Sequence, residues 1–187
     1  MNESMDIQVW AEGTPNPHTL KFNVNRTLLE SGSLNYTDKE RAKESLLASE
    51  LFGIEAVLGV LIGAQFVTVT RRPGTDWGAL VPQVAEKIKA LLASEKELFP
   101  KPQVFAQPSA SGGTIEQKIQ DVLDNEIRPA VAMDGGDVIF HGYRDGVVTL
   151  YLQGSCSSCP SSIMTLKMGI ENRLKSLIPE IKEVVQV

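Results

Sequence analysis

Pro100-Lys-Pro-Gln-Val-Phe-Ala-Gln-Pro-Ser-Ala-Ser-Gly-Gly113 divides this chain. The stretch holds three prolines, two serines and two glycines, with a single charge at Lys101. It has too little apolar surface to build a core and reads as a flexible linker. Folded-domain periodicity returns on both sides. The sequence therefore predicts one domain over residues 1–99 and a second over 114–187, joined by residues 100–113.

Working back from the linker, Leu80, Val84, Ile88, Leu91 and Leu92 recur at helical spacing after Asp76, with Pro82 tolerable only near the first turn. Val57 to Ile62 and Phe66 to Thr70 are β-branched runs parted by Gly63-Ala64, which predicts a hairpin. Thr37-Asp-Lys-Glu40 has the form of a capping box. It opens a helix with Ala42, Leu46, Leu47 and Leu51 on one side. Ile7, Val9 and Ala11, then Phe22 and Val24, alternate as short strands around the Thr14-Pro-Asn-Pro17 turn. The expected order is ββαββα, with a sheet on one side and helices on the other.

Working forward, Thr114-Ile-Glu-Gln117 is a second capping box, followed by Ile115, Ile119, Val122, Leu123 and Ile127 on one helix face. Asp137 to Tyr143 and Val147 to Leu152 alternate around Arg144-Asp-Gly146, a strong hairpin signal. Ile163, Leu166, Ile170, Leu174 and Leu177 trace another helix, Pro179 ends it, and Ile181 to Val187 reads as a strand. This half is expected to be αββαβ. The fold class is α+β, in two small domains.

Composition narrows the function. Apolar residues make up 42% and charged residues 22% of the 187 residues, which excludes disorder for most of the chain. The longest apolar stretch, Ala56 to Val69, is interrupted by Gly59, Gly63, Gln65 and Thr68, too soon for a spanning helix, so no membrane role is expected. The net charge of -5 is shared by both halves, leaving no basic footprint for nucleic acid. Met1-Asn-Glu-Ser-Met-Asp6 is neither a secretory signal nor an Arg-rich transit peptide, and the chain reads as cytoplasmic.

The chain has two cysteines, Cys156 and Cys159, within Gly154-Ser-Cys-Ser-Ser-Cys-Pro160. The motif stands between a strand and a helix, where unpaired N–H groups stabilise thiolates, Pro160 suits the first helical position and Gly154 permits close backbone approach. Four chemistries fit. Two buried structural cysteines are the plainest. A zinc site with His18 and His141 would need ligands from both domains. A dithiol/disulfide oxidoreductase presents a C-x-x-C loop in the same way. An iron–sulfur centre takes four thiolates, so two copies of the chain would each supply two. From spacing alone, the last two stand close together.

The wider pattern separates them. Met133-Asp-Gly-Gly-Asp137, the Val147 to Gly154 strand, Cys156-Ser-Ser-Cys-Pro-Ser-Ser162 and Met164-Thr-Leu-Lys-Met-Gly-Ile-Glu171 together resemble the NifU C-terminal-type domain across residues 114–187. Thr14-Pro-Asn-Pro17, Thr19-Leu-Lys-Phe22, Phe66-Val-Thr-Val-Thr70 and Asp76-Trp77 resemble the N-terminal domain of Nfu-type proteins. The resemblance implies a non-catalytic carrier of an iron–sulfur cluster. Cys156 and Cys159 would be the metal ligands, holding a [4Fe-4S] cluster bridged across a homodimer, with [2Fe-2S] as the other content. Partners would be an upstream cluster donor and apo iron–sulfur clients. With no further cysteine in this sequence, the scaffold and ferredoxin-like domains of full-length NifU are not expected, and the resemblance then implies late transfer rather than assembly.

Other residues have plainer expectations. The glycines of Asp134-Gly-Gly-Asp137 should supply a turn that the acids cap. Lys167 and Arg173 should lie on a solvated helix face, His141 on a strand, and Trp10 and Trp77 in the core. The first domain carries no readable chemistry; docking of a client beside the cluster domain is the expected role.

Overall fold

The computed structural model describes residues 6–94, 97–100, 114–157 and 160–187. They fall in two compact units, Met1–Gln103 and Val104–Val187. The expected linker lies outside the described residues from position 101 onward.

In the N-terminal unit, β1 (Val9–Gly13), β2 (Thr19–Val24), β3 (Leu34–Tyr36), β4 (Val57–Ile62) and β5 (Phe66–Arg71) form an antiparallel sheet in the order β1-β2-β5-β4-β3. Phe22, Val24, Val60, Ile62, Val67 and Val69 meet Leu47, Leu51, Leu80, Val84 and Ile88 in one core. Two details differ from the expected ββαββα. The three-residue β3 adds an edge strand. The expected single helix is two, α1 (Lys39–Ala42) and α2 (Leu46–Phe52). Asp38 caps the first by accepting from Arg41 N. Ser45 restarts the second: its hydroxyl accepts from Ala48 N and donates to Leu98 O at 2.8 Å, so the buried side chain serves as cap and as tie to the end of the unit.

The helix after Asp76, α3 (Trp77–Ala93), passes Pro82 in its second turn, beyond the expected limit. The carbonyl that Pro82 leaves without its N–H belongs to exposed Gly78, where water can replace the bond. Trp77 Nε1 donates to Pro17 O at 3.2 Å, and the Arg71 guanidinium lies 5.1 Å from its ring centre, which pins the Thr14-Pro-Asn-Pro17 turn. Trp77 is thus partly buried against the core, but Trp10 is 50% exposed. On β1, Val9 packs against the core and its neighbour Trp10 takes the opposite face, which corrects its expected burial.

In the C-terminal unit, α4 (Ile115–Val122) passes through a π-helical turn, Leu123–Ile127, into α5 (Arg128–Met133). The π turn comes just before Pro129, whose ring would meet the carbonyl four residues back in an unbroken α-helix. Next come β6 (Gly136–Arg144), β7 (Val147–Gly154), a 3₁₀ turn (Ser155–Ser157), α6 (Pro160–Leu177) and β8 (Glu183–Gln186). The sheet order is β6-β7-β8, antiparallel then parallel. Asp145 (φ 54°) and Gly146 (φ 90°) make the tight hairpin turn that Asp-Gly predicts. Ile119, Leu123, Val131, Val138, Val148, Leu150, Ile170 and Leu174 form the core. Leu177 leaves that face and is exposed, while Ile178 is buried in the same core.

Two polar ties hold the helices to the strands. Arg128 donates from Nε and from its second terminal nitrogen to the two oxygens of Asp137, both at 2.9 Å, and also pairs with Asp124 at 3.0 Å. Asp137 is 5% exposed, so the fork satisfies a carboxylate removed from water. Its hydrogen bonds, outweighing the cost of burial, raise the Arg128 pKa above its ordinary value. Glu171 accepts from Lys175 Nζ at 2.5 Å and from Val184 N at 3.0 Å, joining α6 to β8.

Arg128→Leu should destabilise the C-terminal unit by about 3–5 kcal/mol, because it strands a buried carboxylate. Arg128→Leu/Asp137→Leu should recover most of the loss in urea unfolding. The Lys175 ammonium, then the Val184 N–H, hold Glu171 below the usual carboxylate range. Its folded pKa is depressed, so its contribution is full above the ordinary carboxylate pKa and fades as pH falls through the folded value. Glu171→Gln should therefore cost stability at neutral pH, and the difference from wild type should close in acid.

Candidate functional site

The site lies at the end of the β6–β7 hairpin opposite its tight turn, where Gly136 pairs with Gly154. Gly135 (φ 75°) turns α5 into β6, and Gly154 (φ 67°) turns β7 into the 3₁₀ segment. These left-handed residues let the two turns meet. Ser155 N donates to Gly135 O at 3.3 Å, and Ser155 Oγ donates to Asp134 O. Ser157 Oγ donates to Gly154 O at 2.8 Å, which closes the 3₁₀ turn.

Cys156 is carried at the centre of that turn and is buried, 6% exposed. It belongs to the core with Val131 and Leu152. A Cβ on Gly136 would stand 2.6 Å from Cys156 Sγ, 2.9 Å from Gln153 O and 3.2 Å from Val131 Cγ1. The second glycine of Asp134-Gly-Gly-Asp137 is thus a space for sulfur, and only the first, Gly135, has a positive φ. The Asp137 carboxylate, expected to cap this turn, accepts from Val138 N at 2.8 Å and also pairs with Arg128.

The electrostatics also differ from those read in the sequence. An exposed loop at a helix start should lower a thiol pKa, but burial raises that of Cys156, and the charges of Asp134 and Asp137 add to the rise. Ser155, 3.7 Å from the sulfur, acts in the other direction. Cys156 is a free thiol, shielded by the fold. Cys159 lies outside the described residues. To bind metal, Cys156 must lose its proton and gain access to solvent.

His18 is exposed after the Thr14-Pro-Asn-Pro17 turn of the N-terminal unit. His141 sits at a bulge in β6, its ring edge-on to Tyr151 at 4.8 Å. Among the described residues, no three His, Cys, Asp or Glu side chains gather as a zinc set would require. Arg173 donates to Glu126 at 2.6 Å, bracing α6 against the π turn. Lys167 is half-buried on α6. Sequence reasoning missed Arg128 and Ser155; the basic residue before Pro129 and the acid beginning β6 were the available signals.

Family comparison gives this geometry a context. Residues 7–95 match the family described as scaffold protein Nfu/NifU N terminal, and residues 119–185 match the NifU-like domain. A human protein named NFU1 iron-sulfur cluster scaffold homolog, mitochondrial, is 42% identical over 185 residues, covering 96% of this chain and 71% of the relative. The chain belongs to the Nfu/NifU family. The Drosophila erecta relative of the same name is also 42% identical, over 98% of this chain and 65% of its own length. The solution structure of a NifU-like protein from Saccharomyces cerevisiae overlaps 54% of this chain and 91% of that one, with 25% identity and a TM-score of 0.47. The names of the human and fly Nfu proteins correct the cytoplasmic expectation, since both are called mitochondrial. That expectation rested on the first six residues, and this chain spans only part of those relatives.

Gly136→Ala should force the Cys156 side chain from its seat, destabilising the unit by about 1–3 kcal/mol through overpacking. In a Cys159→Ser background, iodoacetamide should alkylate Cys156 faster in the Gly136→Ala chain than with Gly136 intact. Mass spectrometry of timed samples checks this.

Proposed function

We propose that this chain is a non-catalytic iron–sulfur cluster carrier that holds a [4Fe-4S] cluster as cargo between two copies and passes it to apo-proteins. The observation that carries the reading is the setting of Cys156 at a strand-to-helix junction inside a NifU-like domain, in a chain with two cysteines at C-x-x-C spacing. Four thiolates are the usual complement of an iron–sulfur centre. Two chains related by a two-fold axis supply them as Cys156 and Cys159 from each. The scaffold names of the relatives support the cargo; the cluster type, the ligands and the dimer are our reading.

Release follows from the same ligand count. An incoming client thiolate displaces one cysteine ligand at a time, and separation of the two copies completes the transfer. Cys156 then returns to its place over Gly136. An upstream donor reloads the pair. The N-terminal unit acts as the docking platform, with residues 100–113 as the tether that raises the effective concentration of a bound client. Equal transfer rates to every client from the full chain and from residues 114–187 would overturn that docking role.

The central test is anaerobic reconstitution with iron and sulfide, followed by size-exclusion chromatography with visible absorbance and iron analysis. About two irons per chain, coeluting with a dimer, are expected for one four-iron cluster per pair. Cys156→Ser or Cys159→Ser should abolish both colour and iron. A colourless, iron-free monomer that turns over in a disulfide-reduction assay would instead identify a dithiol oxidoreductase.

A further inference from the structure

We infer that Met133, Met164 and Met168 form the protein contact through which two copies of this chain close around their shared cargo. The inference rests on the reading of Cys156 and Cys159 as ligands shared between copies, and adds the surface that brings them together. The chain has five methionines, two of them at positions 1 and 5. The other three are among the most exposed large apolar side chains, at 73%, 67% and 60% for Met133, Met164 and Met168. An apolar side chain left this open favours a surface that is covered in another state.

Their positions point to the covering partner. Met133 ends α5 and directly precedes Asp134, whose carbonyl Ser155 holds beside Cys156. Met164 lies four residues after Pro160, the first residue of α6, and so about 6 Å along the helix from its start. Met168 follows at i+4 on the same face. That face is distinct from the one that Ile163, Leu166, Ile170 and Leu174 turn toward the core. Sulfurs from two copies can surround one small centre only if the surfaces flanking the cysteines also approach. In a two-fold arrangement the same patch meets itself, so methionine packs on methionine.

The residue type suits a contact that must form and part. Methionine is unbranched and polarizable, so it fills an apolar contact without one rigid fit. A carrier that releases its cargo by separating needs such an interface: apolar enough to close, and soft enough to open. The exposed apolar residue at the far end of the same helix, Leu177, provides the internal comparison.

The test is sedimentation of the reconstituted full-length protein, with iron measured in each fraction. Met164→Gln/Met168→Gln keeps side-chain length, charge and helix propensity while removing apolar character. It should weaken the loaded dimer by about tenfold or more. Met133→Gln should add to the effect, and Met164→Leu/Met168→Leu should restore dimerisation. Leu177→Gln should leave dimerisation unchanged, and circular dichroism should report the same fold for all. A wild-type chain that binds no iron overturns the cargo reading and this interface with it. A wild-type loaded dimer whose dissociation constant is unchanged in Met164→Gln/Met168→Gln overturns the interface alone. Unchanged dimerisation with slower delivery to an acceptor apo-protein also overturns it, by assigning the methionines to the acceptor.

Discussion

A sulfur atom occupies the space where Gly136 has no side chain, and the rest of the C-terminal unit is arranged around that contact. The absence of a Cβ lets the 3₁₀ turn settle on the start of β6. Gly135 and Gly154, both left-handed, bring the two turns together, and Ser155 fastens them through the carbonyls of Asp134 and Gly135. The Arg128–Asp137 fork then fixes the first residues of β6 against α5. Sulfur, glycine, serine and arginine thus form one continuous support. A methyl group at position 136 would push on the thiol, on the backbone of β7 and on Val131 together.

This support gives Cys156 a specific chemical setting. Cys156 is a core side chain as well as a candidate ligand, and burial favours its protonated form. A buried thiol is a poor nucleophile and a poor target for oxidation. In the carrier reading, metal–sulfur bonds at Cys156 would form at the expense of this core packing. Metal would then compete with the fold for the sulfur.

Much of this was legible in the sequence. Asp145-Gly146 announced its hairpin, the apolar spacing of α3 and α6 located their buried faces, and the C-x-x-C pair marked the strand-to-helix junction. What was hidden depended on contacts between distant or conformationally ambiguous residues. Ser45 is a good helix cap locally, but the apolar spacing ran across it and its second partner, Leu98 O, is 53 residues away, so the break between α1 and α2 went unread. Arg128 stands four residues after Asp124, a spacing that resembles an ordinary solvated helix pair, and its stronger partner comes from the next strand. Gly135 and Gly136 are adjacent and identical, yet one is needed for a backbone angle and the other for an empty volume. Trp10 misled because one step along an edge strand exchanges the core face for the open one.

The pairing of β7 with β8 sets an order of assembly. β6 and β7 meet through a two-residue turn, whereas the parallel partner of β7 returns only after the cysteine segment and all of α6. Closing that long connection costs more chain entropy than closing the hairpin, which favours the hairpin as the earlier element to form. Cys156 and the whole of α6 thus lie within that crossover, between the hairpin and the strand that completes the sheet.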